Sequence, residues 1–380
     1  MGAAQWRRAG NASAASAAAR ARGASAPLTP VTSTSTSVTP VEAARSGFAW
    51  PATSVHHIVL VLGLLLFPLM VSPFITFQVG AQALVLGMIA LSLSFLAGYG
   101  GMVSLAQMTV AGVAGYAMAV FGHSSSAEIS LGWPWWLAVP VAIFIAIAAS
   151  ALIGWLSVRT EGIYTIMITL AIGVAFYYLV LQNYSVFNGF QGLRELKPPT
   201  LFGVQWRDPL PFYGLSLVCA LASYFLVVYV VRTPFGIALQ GIRDNPRRMG
   251  ALGFAVVSHR VAAYALSGLI AAVGGILLAW YNALMTPGSV GTGWLINILV
   301  IAVLGGVKHP LGAFLGALIF VLLQTFAIDV IDRERFNLVI GGVFLAIVLF
   351  SPDGLLGLWA KVRLRFSPRQ AMTSNQRRQP

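Results

Sequence analysis

Apolar residues do not alternate with polar ones along this chain; they run in blocks. From position 58 onward, apolar stretches fall at about 58–77, 79–97, 107–122, 133–157, 162–183, 211–231, 261–281, 294–307, 310–328 and 337–351. Blocks of this kind lack the one-sided stripe of a soluble amphipathic helix. Most approach the ~20 residues needed to cross a hydrocarbon core of roughly 30 Å. A lone strand cannot satisfy its backbone in lipid, so each block is read as helix. The pattern predicts an all-α integral membrane protein with about ten transmembrane helices. Short polar breaks, Gln78-Val79-Gly80 and Lys308-His309, mark two of the boundaries.

Outside the blocks, residues 1–54 are rich in Ala, Ser, Thr and Arg. They hold too few large apolar side chains to offset the entropy of ordering, and read as a disordered cytoplasmic tail. Arg7-Arg8 is not followed by an apolar segment until Ile58, so it does not read as an export signal. Residues 55–360 form the membrane domain and 361–380 a basic cytoplasmic tail. Within the domain, one long polar stretch stands out. Residues 232–260 carry Gly241-Ile242-Arg243-Asp244-Asn245-Pro246-Arg247-Arg248-Met249-Gly250-Ala251-Leu252-Gly253. Basic residues between two spans mark a cytoplasmic surface, and this one reads as a handle for a partner to grip. The alternative for the same residues is a basic loop that holds lipid headgroups.

Composition removes whole classes of function. With 58% apolar and 9% charged residues, and a mean hydropathy of +0.83, the chain is far from the soluble norm of roughly 25% charged. The net charge of +13 does not point to nucleic acid, because the Lys and Arg lie in tails and loops beside apolar spans. With ten spans and the amino terminus inside, the inner side holds 18 of the 23 basic residues. They are five in the first tail, Arg159, five in 232–260, Lys308 and six in the last tail. The outer loops keep Arg194, Lys197, Arg207, Arg333 and Arg335, with most of the acids (Glu128, Glu195, Asp208, Asp329, Asp332, Glu334). Both termini are therefore expected in the cytoplasm. A single cysteine, Cys219, excludes an intrachain disulfide and a zinc cluster built on cysteine.

Two glycine-rich interruptions cut the apolar blocks. Gly98-Tyr99-Gly100-Gly101-Met102-Val103-Ser104-Leu105-Ala106-Gln107 places three Gly and the polar Ser104 and Gln107 at membrane depth. Irregular backbone survives there only when buried in protein or lining a wet cavity. This is either a broken helix beside a translocation path or a tight packing seam. Leu304-Gly305-Gly306-Val307-Lys308-His309-Pro310 is similar in kind, so Gly305 and Gly306 join Gly98, Gly100, Gly101, Ser104 and Gln107 as path candidates. The spans hold almost no Asp, Glu, Lys, Arg or His, which disfavours a proton- or sodium-coupled carrier. Arg159 and Glu161 flank a span end and read as interface anchors. No Gly-x-x-x-x-Gly-Lys-Ser/Thr loop occurs, so this chain is not expected to hydrolyse ATP, and no metal or catalytic residue is assigned.

Thr233-Pro234-Phe235-Gly236-Ile237-Ala238-Leu239, followed by Ile242 to Gly253, resembles the cytoplasmic coupling loop of LivM-type permeases of branched-chain amino acid ABC transporters. Gly98 to Gln107, Arg159 to Ala171, Val303 to Ala317 and Phe350-Ser351-Pro352-Asp353-Gly354-Leu355-Leu356-Gly357 agree in order, so the similarity covers roughly 58–360. The resemblance implies a non-enzymatic import subunit of the bacterial inner membrane, with ATP bound only on partner subunits. The implied partners are a second permease, two ATPases, a periplasmic solute-binding protein and membrane lipid. Arg243, Asp244, Asn245, Arg247, Arg248, Met249, Ala251, Leu252 and Gly253 would form the coupling surface, with Met249, Ala251 and Leu252 as its apolar contact. Asn188, Gly189 and Gly192 in an outer loop would face the binding protein, although a plain turn explains them as well. Branched-chain amino acids are the default solute, with urea, short amides and aromatic acids as neighbours. Pro246 stands where the family places an acid, and Glu161 where a less acidic residue is expected. The alternatives are a self-contained channel or carrier and, with less support, a membrane enzyme.

Overall fold

The computed structural model describes residues 63, 64, 66–68, 70–124, 129–160, 162–196, 198–201 and 204–330, with 341, 342, 345, 354, 355 and 357. All belong to one unit, Ile58–Pro380. The tails 1–54 and 361–380, Lys197, Glu161, most of the block at 337–351 and most of the closing motif lie outside the described residues.

Helix α1 runs Pro73–Gly100. Its start is written as Ser72-Pro73: Ser72 Oγ accepts from the Ile75 N–H at 3.5 Å and Pro73 opens the first turn. Its end is Gly101, at φ 67°, which lets the Met102 N–H return to the Leu96 carbonyl at 3.1 Å. The boundary expected at Gln78-Val79-Gly80 is absent. A π-helical stretch, Thr76–Ala81, carries the helix through it, and the Tyr281 hydroxyl donates to Gln78 Oε1 at 3.2 Å. Polarity at position 78 reflects a half-buried hydrogen-bond partner, not a break.

Seven further long helices follow among the described residues: α2 Gln107–Phe121, α3 Trp135–Ser157, α4 Ile163–Gln182, α5 Pro209–Arg232, α8 Val256–Asn282 and the bent pair α9 Thr292–Gly305 and α10 Pro310–Val330. The stretch 232–260, expected as a loop, is mostly helical, with α6 Pro234–Asp244 and α7 Pro246–Ala251 between α5 and α8. Among the described residues five helices are long and apolar enough to cross a membrane, six if the bent pair counts as one. The expected ten is revised in two places. Helix α2, at 15 residues, reaches only about 22 Å at 1.5 Å per residue. Helices α9 and α10 are joined at 117° and do not read as two independent spans.

Helix α1 is the hub, with 94% of its apolar window buried, against 33% for α3 and 22% for α4. Since every face of a span is apolar, shape selects the interior face. Helix α3 buries Ala138, Ala142, Ala146, Ser150 and Gly154, one residue every four, and leaves Phe144 and Leu152 outside. Helix α4 does the same with Thr165, Thr169 and Gly173. Close backbone approach follows. Gly154 meets the Tyr264 side chain, Gly268 meets Ser150, and Gly275 meets the Ala111 backbone.

Contacts fix which helix ends lie together. The ends at Gly98–Gly101, Thr160–Ile163, Arg232–Val256 and Gly306–His309 share one end of the bundle, here termed the basic end. It holds Arg159, Arg232, Arg243, Arg247, Arg248, Arg260 and Lys308. At the other end Leu193–Arg194 pairs antiparallel with Leu284–Met285, in register Leu193 to Met285.

Candidate functional site

The stretch 232–260 holds a pair of short helices with matching starts. Thr233 Oγ1 accepts from the Gly236 N–H at 3.4 Å with Pro234 in the first turn of α6. Asn245 Oδ1 accepts from the Arg248 N–H at 3.0 Å with Pro246 in the first turn of α7. Pro246, the departure from the family pattern, is therefore an ordinary first-turn proline behind an Asn cap. Asn245 itself is extended (φ −156°, ψ 94°) and separates the two helices.

Helix α6 is amphipathic. Gly236, Ala238, Leu239 and Ile242 are buried against the bundle. Helix α7 folds back on it through Met249, whose thioether lies over Gly241. Met249 is half-buried and joins the two helices, whereas Arg247, Arg248, Ala251, Leu252 and Gly253 are exposed. Gly253, at φ 90°, turns the chain toward α8, with the Phe254 N–H on the Met249 carbonyl at 3.1 Å. Leu252 is 67% exposed and Phe254 41%, so the outer surface carries two arginines beside bare apolar side chains.

Arg243 ties this hairpin to the hub. One terminal nitrogen donates to the Gly98 carbonyl at 2.6 Å, while its Nε donates to Asp244 Oδ1 at 2.9 Å. The Gly98 carbonyl belongs to the last turn of α1, where carbonyls lack helical partners. Gly98 also lies against the Val307 carbonyl, and the Tyr99 hydroxyl donates to the Lys308 carbonyl at 3.5 Å. Gly305 packs on Gly312, and Gly354 of the closing motif packs on Gly306. Motifs more than 200 residues apart thus meet at the end of α1. Gly100 and Gly101 belong to the same junction, the latter beneath the Arg243 side chain.

Ser104 and Gln107 lie elsewhere, fully buried. Gln107 Oε1 accepts from Ser92 Oγ at 3.1 Å and Ser267 Oγ at 2.9 Å. Ser104 Oγ accepts from the Ala106 N–H at 3.3 Å, and the Leu105 N–H donates to Thr169 Oγ1 at 3.1 Å. These bonds knit α1, α2, α4 and α8 together, while Gln107 Nε2, also buried, has no hydrogen-bond partner. Asn188, Gly189 and Gly192 form a tight turn at the opposite end, closed by Asn188 Nδ2 donating to the Gly192 carbonyl at 2.9 Å. A cavity of about 240 Å³ at that end is walled by Trp135, Trp206, Trp280 and aliphatic side chains. It offers no charged group to a zwitterion, whose charges would be left unpaired there.

The sequence motifs named Arg243 but not its role. The signal that points to it is the Asn-Pro start of α7, which places the preceding Arg at the end of α6, facing the bundle.

A family described as "Branched-chain amino acid transport system / permease component" matches residues 75–348. The chain belongs to this permease family. It is 24% identical to the high-affinity branched-chain amino acid transport system permease protein LivM of Escherichia coli (strain K12), over 74% of this chain and 70% of that protein. It is 25% identical to the corresponding LivH protein of Salmonella typhimurium, over 58% of this chain and 75% of that one. The ribose import permease protein RbsC of Haemophilus influenzae is 21% identical, over 64% and 76%. No solved structure matches the chain. The permease is a multi-pass membrane protein and a transport subunit, and the matched region takes in helices α2 to α10 and nearly all of α1.

Proposed function

We propose that this permease is the membrane half of an ATP-driven importer for branched-chain amino acids or similarly small polar solutes, and that the α6–α7 hairpin is where an ATPase grips it. The observation that carries the reading is the hairpin itself. It is clamped to α1 through Arg243, yet presents Arg247, Arg248, Ala251 and Leu252 outward. A rigid attachment on one side and a charged, apolar-centred surface on the other suit a lever. The basic end is then cytoplasmic, as the excess of arginine there favours, and both termini lie on that side. ATP binds on two partner subunits, a second permease completes the path, and a periplasmic binding protein delivers solute. The LivM and LivH relatives support a paired permease and a branched-chain solute. The ribose relative argues that this fold does not choose the solute by itself.

Charge reversal tests the grip. Arg247→Glu with Arg248→Glu is expected to lower ATPase copurification by about tenfold, the scale for misplacing charges at an interface, with membrane insertion unchanged. Undiminished copurification rejects the coupling role. The purified chain alone in liposomes is expected to show no sustained uptake; uptake without ATPase partners selects a self-contained channel or carrier.

A further inference from the structure

At the basic end a cavity of about 460 Å³ opens between the Gly101–Val103 segment, the start of α4 and the hairpin. Arg260 supplies a cationic group, Arg243 a second that is already paired with Asp244, Thr160 and Thr165 hydroxyls, and Ile163 and Ile166 an apolar wall. No carboxylate lines it among the described residues. Arg260 Nε is buried and has no hydrogen-bond partner, and Arg260 makes no ion pair among the described residues. It sits in the second turn of α8, near the positive end of that helix, where a cation is disfavoured unless an anion compensates it. The start of α4 adds to the same field. Its cap is Gly162, which has no side-chain oxygen to satisfy the first N–H groups.

The depth of this cavity is marked by its neighbours. The Arg159 guanidinium stacks over the Trp155 ring at 4.5 Å, and an outward-facing Trp–Arg pair at a span end belongs at headgroup level. Ile163, Tyr164 and Met167 are 73%, 70% and 61% exposed on the outer face of α4. Cationic lining and exposed hydrocarbon therefore adjoin one another at the membrane surface.

We propose that this cavity binds an anionic phospholipid, with its phosphate on Arg260 and its acyl chains along the Ile163–Met167 face of α4. A free inorganic anion would answer the arginine but leave the apolar wall wet; a phospholipid answers both. The site rests on the cavity and not on the coupling reading, and lipid binding is read without ATPase, so either can fail alone.

The test is native mass spectrometry of the full chain in detergent with dioctanoyl phosphatidylglycerol, dioctanoyl phosphatidylcholine and inorganic phosphate as competitor. Bound phosphatidylglycerol should exceed phosphatidylcholine by about fivefold, the worth of roughly one well-placed arginine, and survive millimolar phosphate. Arg260→Gln should abolish the preference, and Arg159→Gln, outside the cavity, should retain it. Equal binding of the two lipids, displacement by phosphate, or equal loss in both variants overturns the proposal. The lipid comparison on the unaltered chain decides the matter even where a variant fails to fold.

Discussion

Arg243→Ala is expected to lower solute uptake by the assembled transporter about tenfold or more, while the protein still inserts and still binds its ATPases. The hydrogen bond from Arg243 to the Gly98 carbonyl is charge-assisted, 2.6 Å long and made to a helix end that has few other partners. Such bonds contribute about 1.5–3 kcal/mol, or roughly a tenfold to hundredfold change in the attached population. The side chain also covers Gly101, so its loss removes packing as well as charge. Arg247, Arg248 and Leu252, the proposed ATPase contacts, stay in place because the Asn245 cap and the Met249–Gly241 contact are internal to the hairpin. The outcome to measure is ATP hydrolysed per solute moved in proteoliposomes. Uncoupled hydrolysis with weak uptake is the expected pattern; unchanged stoichiometry would mean that motion reaches the bundle through α5 and α8 alone.

Gly305→Ala is expected to destabilise the permease by about 3 kcal/mol or more, at the upper end of overpacking costs. A Cβ at this position collides with the Gly312 carbonyl and approaches the Gly316 backbone at 3.0 Å. Backbone on a paired helix cannot rotate aside as a side chain would. The α9–α10 bend must then open, and with it the surface on which Val307 meets Gly98 and Gly354 meets Gly306. Gly293→Ala and Gly214→Ala are the controls, since nothing lies within 4 Å of a Cβ at either. Both are expected within about 0.5 kcal/mol of the parent, or slightly above it from helix propensity. A thermal ramp in detergent followed by size-exclusion chromatography reads all three. Equal melting of Gly305→Ala and Gly293→Ala would refute the close approach.

Several of these features are written locally in the chain. Ser72-Pro73, Thr233-Pro234 and Asn245-Pro246 each begin a helix with a capping oxygen and a first-turn proline, so α1, α6 and α7 start where the residues say they should. Judged by polarity alone, 232–260 is a loop; judged by its caps, it is two helices. Gln78 misleads for the converse reason. Its polarity mimics a boundary, yet the group that satisfies it, the Tyr281 hydroxyl, comes from more than 200 residues away. Gly98, Gly305 and Gly306 can be picked out as interruptions, but whether they line a path or pack together depends on which backbones approach them.

That division has a physical origin. Insertion in the membrane, the helical state of the blocks and the concentration of arginine at one end follow from the sequence by itself, because hydrocarbon tolerates only hydrogen-bonded helix and charge stays at its edges. Which faces meet does not follow, because lipid and protein interior are equally apolar and no hydrophobic contrast marks the buried side. Only the tertiary structure could bring Arg243 to Gly98, Val307 to the same turn and Gly354 to Gly306. Fit between backbones, decided atom by atom across distant segments, selects those contacts.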